Sequence, residues 1–161
     1  MRGTVFPNPS NPRGIMIRRT FVQSLALFAL TSFSVGASAA DAPTKGEKPR
    51  RIAQGAPVNL ADYLVPGKTT VFDFTSEFCP PCKAIAPMLE KVHRTRNDVV
   101  VVAVDINRPE VRGIDWKSPV AQQFGLRSIP HFKVYGPDGK LVAEDKPGDA
   151  KARAMVSKWF N

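Results

Sequence analysis

Cys79 and Cys82 are the only cysteines in 161 residues, and they stand three positions apart with Pro80 and Pro81 between them. Such a pair can be a structural bridge, half of a metal site or a working dithiol. A bridge stabilises mainly by restricting the unfolded chain, and a loop of four residues restricts it little. Zinc asks for about four ligands. Beyond the thiols the chain offers only His93 and His131, not in a ligand-like pair, and a surface or packing role suits both better. The dithiol reading has a mechanism. The thiolate is the nucleophile of disulfide exchange, and a helix N-terminus lowers a thiol pKa through unpaired N–H groups and the helix dipole. Cys79 at that place would attack, and Cys82, one turn further in and more shielded, would resolve the mixed disulfide.

The elements around the pair must therefore put Cys79 at a helix start. "TTVFDFTS", residues 69–76, is a β-branched and aromatic run and predicts a buried strand just before it. Pro80 and Pro81 suit a first helical turn, whose N–H groups are unpaired anyway. The helix should run to about Arg94 with Ile85, Met88, Leu89 and Val92 on one face, kinked at Pro87. "DVVVVAVDI", residues 98–106, reads as a strand buried on both faces. Ser118 caps a short helix to about Phe124. "HFKVY" and "LVAED" are strands joined by the turn Gly136-Pro137-Asp138-Gly139, and Asp149 is expected to cap a last helix to Trp159. Helices between parallel strands, then a closing hairpin, make an α/β domain with a mixed sheet.

Residues 57–160 resemble the thioredoxin family. The resemblance rests on Asp73 in the strand, Phe78 before Cys79-Pro80-Pro81-Cys82-Lys83, Pro87 five positions after the second cysteine, and the distant Ile129-Pro130. It implies the thioredoxin fold, a central mixed β-sheet flanked by helices, and a cis bond before Pro130. By the same resemblance Asp73 lies beneath the dithiol and moves protons to and from Cys82. Phe78, Pro80, Pro81, Ile129, Pro130 and Gly148 would contact substrate, with Gly148 completing an apolar rim. The sequence departs from the family in three places: Phe78 stands for the usual tryptophan, Pro80 for a glycine, and the central strand lacks the family's lysine. The segment 107–128 is also longer than in compact thioredoxins, and its Trp116 is expected to pack on the domain.

The first forty residues read as a leader with a cleavable export signal: Arg18 and Arg19, a mildly apolar run, then "ASAA" with cleavage near Ala39 or Ala40. Gln23, Ser24, Thr31, Ser32 and Ser34 interrupt the run and disfavour a membrane anchor. Arg18-Arg19-Thr20-Phe21-Val22 also resembles a twin-arginine signal, so either route fits, and translation starting at Met16 would drop the proline-rich beginning. The whole chain has 23 basic and 14 acidic residues, and removing the four arginines of the leader leaves 19 against 14. Residues 41–56 hold four more of the bases and read as a flexible basic tail, which leaves domain 57–161 nearly balanced. Without a basic stripe interleaved with aromatics, nucleic acid is not an expected partner.

The reading is thus a periplasmic or otherwise extracytoplasmic protein-disulfide oxidoreductase, more in keeping with reduction than with oxidation or isomerisation. Its expected partners are disulfide-bearing proteins and a redox partner protein. It is expected to act as a monomer without metal or cofactor and without stable membrane insertion. The alternative from another class is a dithiol module that holds copper or a partner without turnover.

Overall fold

The computed structural model describes residues 46–160. The leader, the cleavage site, the Met16 start and the first residues of the basic tail lie outside the described residues. Five strands form one sheet: β1 (Arg50–Ile52), β2 (Thr69–Thr75), β3 (Val99–Asp105), β4 (His131–Tyr135) and β5 (Leu141–Glu144). Their order is β1-β3-β2-β4-β5, with β1, β3 and β2 parallel and β4 and β5 antiparallel to their neighbours. Among the described residues three α-helices accompany them, α1 (Pro80–Thr95), α2 (Pro119–Gln123) and α3 (Lys151–Ser157), with a short 3-10 turn at Leu60–Tyr63.

Side chains of a strand alternate between faces, and β2 and β3 show it. Phe72, Phe74, Val100, Val102 and Val104 pack with α2 residues Val120 and Ala121 on one face. Val71, Val99 and Val101 pack with Leu89 and Val92 of α1 and Ala152 and Val156 of α3 on the other. Both faces are covered, which is why "VVVV" shows no alternation of polarity. Of the predicted apolar stripe on α1, Leu89 and Val92 are buried, Ile85 packs against the core and Met88 stays half-buried. His93 joins the buried side, because its Nδ1 accepts a hydrogen bond of 3.1 Å from the Val101 backbone N–H.

The tail expected over residues 41–56 is corrected at its end. Residues 50–52 are an edge strand beside β3, Ile52 is buried, and Gly55 makes backbone bonds with Asp105 (3.0 Å) and Val120 (3.2 Å). Composition read the segment as unable to fold alone, and it does not fold alone: the exposed edge of β3 supplies its hydrogen-bond partners. Gly55 has φ +82° and runs so close to Arg108 that a Cβ there would lie 2.7 Å from the Arg108 amide nitrogen.

Asp149 does not cap α3. Ala150 precedes the helix without a side-chain bond, while the Asp149 backbone is tied to Lys146 in an isolated bridge. The capping carboxylate is Asp145, whose Oδ1 accepts from the Arg153 N–H (2.8 Å) and whose Oδ2 accepts from the Phe132 N–H (3.1 Å). Ser118 does cap α2 as its sequence predicts, accepting from the Ala121 N–H at 3.2 Å. The hairpin turn closes through Gly136 N–H to the Lys140 carbonyl (2.8 Å) and Gly139 N–H to the Gly136 carbonyl (2.9 Å).

Candidate functional site: the dithiol edge of the sheet

Strand direction gathers the site. Parallel strands β2 and β3 end at the edge where antiparallel β4 begins, as the pairing of Phe74 with His131 requires, and β5 returns there too. Four segments therefore meet at one edge: 76–79, 106–118, 128–130 and 145–150. This is the edge at which open α/β sheets present ligand sites.

Cys79 is the N-cap of α1. Its sulfur accepts a hydrogen bond of 3.2 Å from the Cys82 N–H, and its own backbone N–H donates to the Ser76 carbonyl at 3.2 Å. Cys79 and Cys82 are joined as a disulfide with Cα atoms 5.3 Å apart. The expected difference in shielding is absent in this oxidised state, since each cysteine keeps only 1% of its surface exposed. The two differ instead in what they meet: Cys79 Sγ lies at the open first turn and 3.8 Å from the Ile129 carbonyl oxygen. Pro80 and Pro81 are exposed beside it, and Phe78 is half-buried. The Ile129–Pro130 bond is cis. Arg153 Nη2 donates to the Pro130 carbonyl and so links this loop to α3.

Asp73 sits on the α1 side of the sheet, 4% exposed, with Oδ1 buried and without a hydrogen-bond partner. Burial pushes its carboxyl up to about 7, while the charges of Arg51 and then Arg153 pull it back. A carboxyl held there exchanges its proton near neutral pH, as a general acid or base must.

Gly148 has φ +78° in the loop after β5, which suits a residue without a Cβ. It borders a cavity of about 380 Å³ shared with Arg127, His131, Asp145, Lys146 and Arg153. His131 Nε2 is buried and unpaired, and burial holds the imidazole below the usual histidine range. Trp116 remains 36% exposed rather than packed away, although its carbonyl accepts from Gln122 Nε2 at 2.6 Å.

Sequence reasoning missed the supports of the dithiol loop. Ser76 Oγ donates to Asn107 Oδ1 at 2.6 Å and accepts from the Phe78 N–H at 3.1 Å. Asn107 also donates to the Gly113 carbonyl, so the long segment after β3 is fastened to the residues preceding Cys79. A serine beside the motif was visible; its partner thirty-one positions away carries no local signal. Arg51 and Asp145 were missed for the same reason.

The comparisons with known proteins agree with this geometry. Residues 58–159 match the family model described as Thioredoxin. The chain is 38% identical over 77 residues to the F-type chloroplastic thioredoxin of Pisum sativum, covering 48% of this chain and 38% of that protein. It thus spans about two fifths of the length of the chloroplastic relatives it matches. It is 32% identical over 89 residues to thioredoxin-1 of Schizosaccharomyces pombe, covering 55% of this chain and 79% of that protein. Among solved structures, a mutant thioredoxin from Halobacterium salinarum superposes with a TM-score of 0.50 at 20% identity, over 72% of this chain and 91% of that one. With its five-stranded mixed sheet, a cysteine pair at the start of α1 and a family model matched across nearly the whole described domain, the chain belongs to the thioredoxin family.

Proposed function

We propose that the protein is an extracytoplasmic thiol-disulfide oxidoreductase that reduces disulfides in other proteins. One observation carries the reading: the Cys79–Cys82 pair caps α1 on the same sheet edge as the Ile129 carbonyl, while β2 carries the buried Asp73. In the reduced form the Cys79 thiolate attacks a substrate sulfur, the substrate S–S bond breaks, and one substrate thiolate leaves. A mixed disulfide to Cys79 remains. Asp73 takes the Cys82 proton, the Cys82 thiolate attacks Cys79 Sγ, and the second substrate thiol departs. Two electrons have passed to the substrate, and the protein is left in the disulfide form. A redox partner with a dithiol of its own must reduce it again.

Phe78, Pro80, Pro81, Ile129, Pro130 and Gly148 are the proposed substrate surface around Cys79. Export by the leader in residues 1–40 is part of the same reading, because an outside location gives such a protein oxidised targets. Among the described residues no helix is long and apolar enough to cross a membrane.

Insulin reduction by the purified domain tests the activity. The parent should turn over with dithiothreitol, Cys79→Ser should be inactive, and Cys82→Ser should trap a mixed disulfide through Cys79. The equilibrium potential of the pair against glutathione tests the direction. A value near −270 mV supports a reductant, and one near −120 mV would make the protein an oxidant instead.

A further inference from the structure

Arg51 of β1 pairs with Ala103 of β3, and Ala103 pairs with Asp73 of β2. Paired residues share a sheet face, so arginine, alanine and aspartate form one row beneath α1, the two ends roughly 10 Å apart at the usual ~4.8 Å strand spacing. The small residue in the middle leaves room. A cavity of about 300 Å³ occupies this place, lined by Lys48, Arg51, Asp73 and Ala103 with Leu89 and Glu90 of α1 above.

One end of the cavity is wet and the other dry. The side chains of Lys48, Arg51 and Glu90 are 84%, 46% and 32% exposed, whereas Asp73 as a residue is 4% exposed. The guanidinium does not wander: Asp105, two residues beyond Ala103 on the same face, accepts from Arg51 Nε at 2.9 Å and lies 2.8 Å from Nη2.

We propose that this cleft between β1 and α1 is the route by which Asp73 exchanges its proton with solvent, and that Arg51, held by Asp105, is the positioning charge that sets the pH at which the exchange occurs. The inference rests on the reading of Asp73 as the proton carrier. Of the charges that reach Asp73, Arg51 acts more strongly than Arg153 of α3, and both favour the carboxylate. The other charges around the cleft are Lys48 and Glu90 at its mouth, 4.0 Å from each other, and Asp105, already paired. The joined cysteines carry no charge. A proton leaving Asp73 thus emerges beside a cation that stabilises the carboxylate it leaves behind.

The test follows the Asp73 carboxyl by NMR during a pH titration of the oxidised full-length protein, in which no turnover takes place. Arg51→Gln should raise its midpoint by about half a pH unit, the size a unit charge produces across roughly 10 Å of partly solvated protein. Arg51→Lys should restore the parent midpoint. Ala103→Leu should fill the cleft and slow single-turnover disulfide reduction at pH 7 by about tenfold, with its thermal midpoint confirming a folded protein. An unchanged Asp73 midpoint in Arg51→Gln would remove Arg51 from the mechanism, and an unchanged rate in Ala103→Leu would remove the cleft. Reduction unaffected by Asp73→Asn would instead overturn the proton-carrier reading itself, whatever the titration of Arg51→Gln shows.

Discussion

At the scale of single residues, the site depends on a carboxyl whose charged form the fold disfavours. Asp73 ordinarily titrates near 3.8, and burial moves it to about 7. Its contribution to stability is therefore fully present below pH 3.8 and is lost as pH rises through about 7. At about 1.4 kcal/mol for each pH unit between the two values, the loss is on the order of 4 kcal/mol. Asp73→Asn should abolish this decline, so thermal melts of variant and parent should nearly coincide at pH 4 and separate in the variant's favour at pH 8. The same change should slow insulin reduction at pH 7 by roughly 10²-fold or more, the usual worth of a positioned proton carrier. His93 has the opposite sign. Burial, followed by Lys68, holds it below its ordinary 6.5, and its neutral Nδ1 accepts from Val101, so this stability is present above pH 6.5 and is lost as pH falls below it. His93→Phe leaves the Val101 N–H unpaired at about 1–3 kcal/mol. A thermal midpoint lowered by several degrees at pH 7, with less further loss at pH 5 than the parent shows, is the expected result.

At the scale of elements, β2, α1, β3 and the closing hairpin were legible because their signals are local: β-branched runs, prolines in a first turn, a serine cap, a Gly-Pro-Asp-Gly turn. The elements that were not legible depend on remote partners. Three residues of β1 carry no period, and only the open edge of β3 makes them a strand. Asp149 looked like a cap by position, yet Asp145 reaches α3 because β5 ends beside it. The cysteines, Asp73 and Ile129-Pro130 were readable as motif residues, whereas Arg51 and Asn107 acquire their places only once strands are paired. Asp145→Ala should leave the N–H groups of Phe132 and Arg153 without their acceptor and cost about 1–3 kcal/mol, measured by denaturant unfolding. Gly55→Ala should also destabilise, since the new methyl would crowd the Arg108 backbone and φ +82° disfavours any side chain.

At the scale of the whole molecule, the domain begins earlier than its composition suggests. A chain starting at residue 57 should lose β1 and melt several degrees lower, by circular dichroism, than one starting at residue 46. The link from Arg153 to the Pro130 carbonyl, with Asp145 holding the same helix, has a consequence at the opposite end of the sequence. The last helix serves as a buttress for the loop that faces Cys79 Sγ. A protease trimming the chain back past Arg153 would leave the Cys79–Cys82 pair in place, yet deprive that loop of its brace. Arg153→Ala removes the same brace without taking Val156 from the core, and should weaken the grip on bulky protein targets while sparing the reduction of small-molecule disulfides.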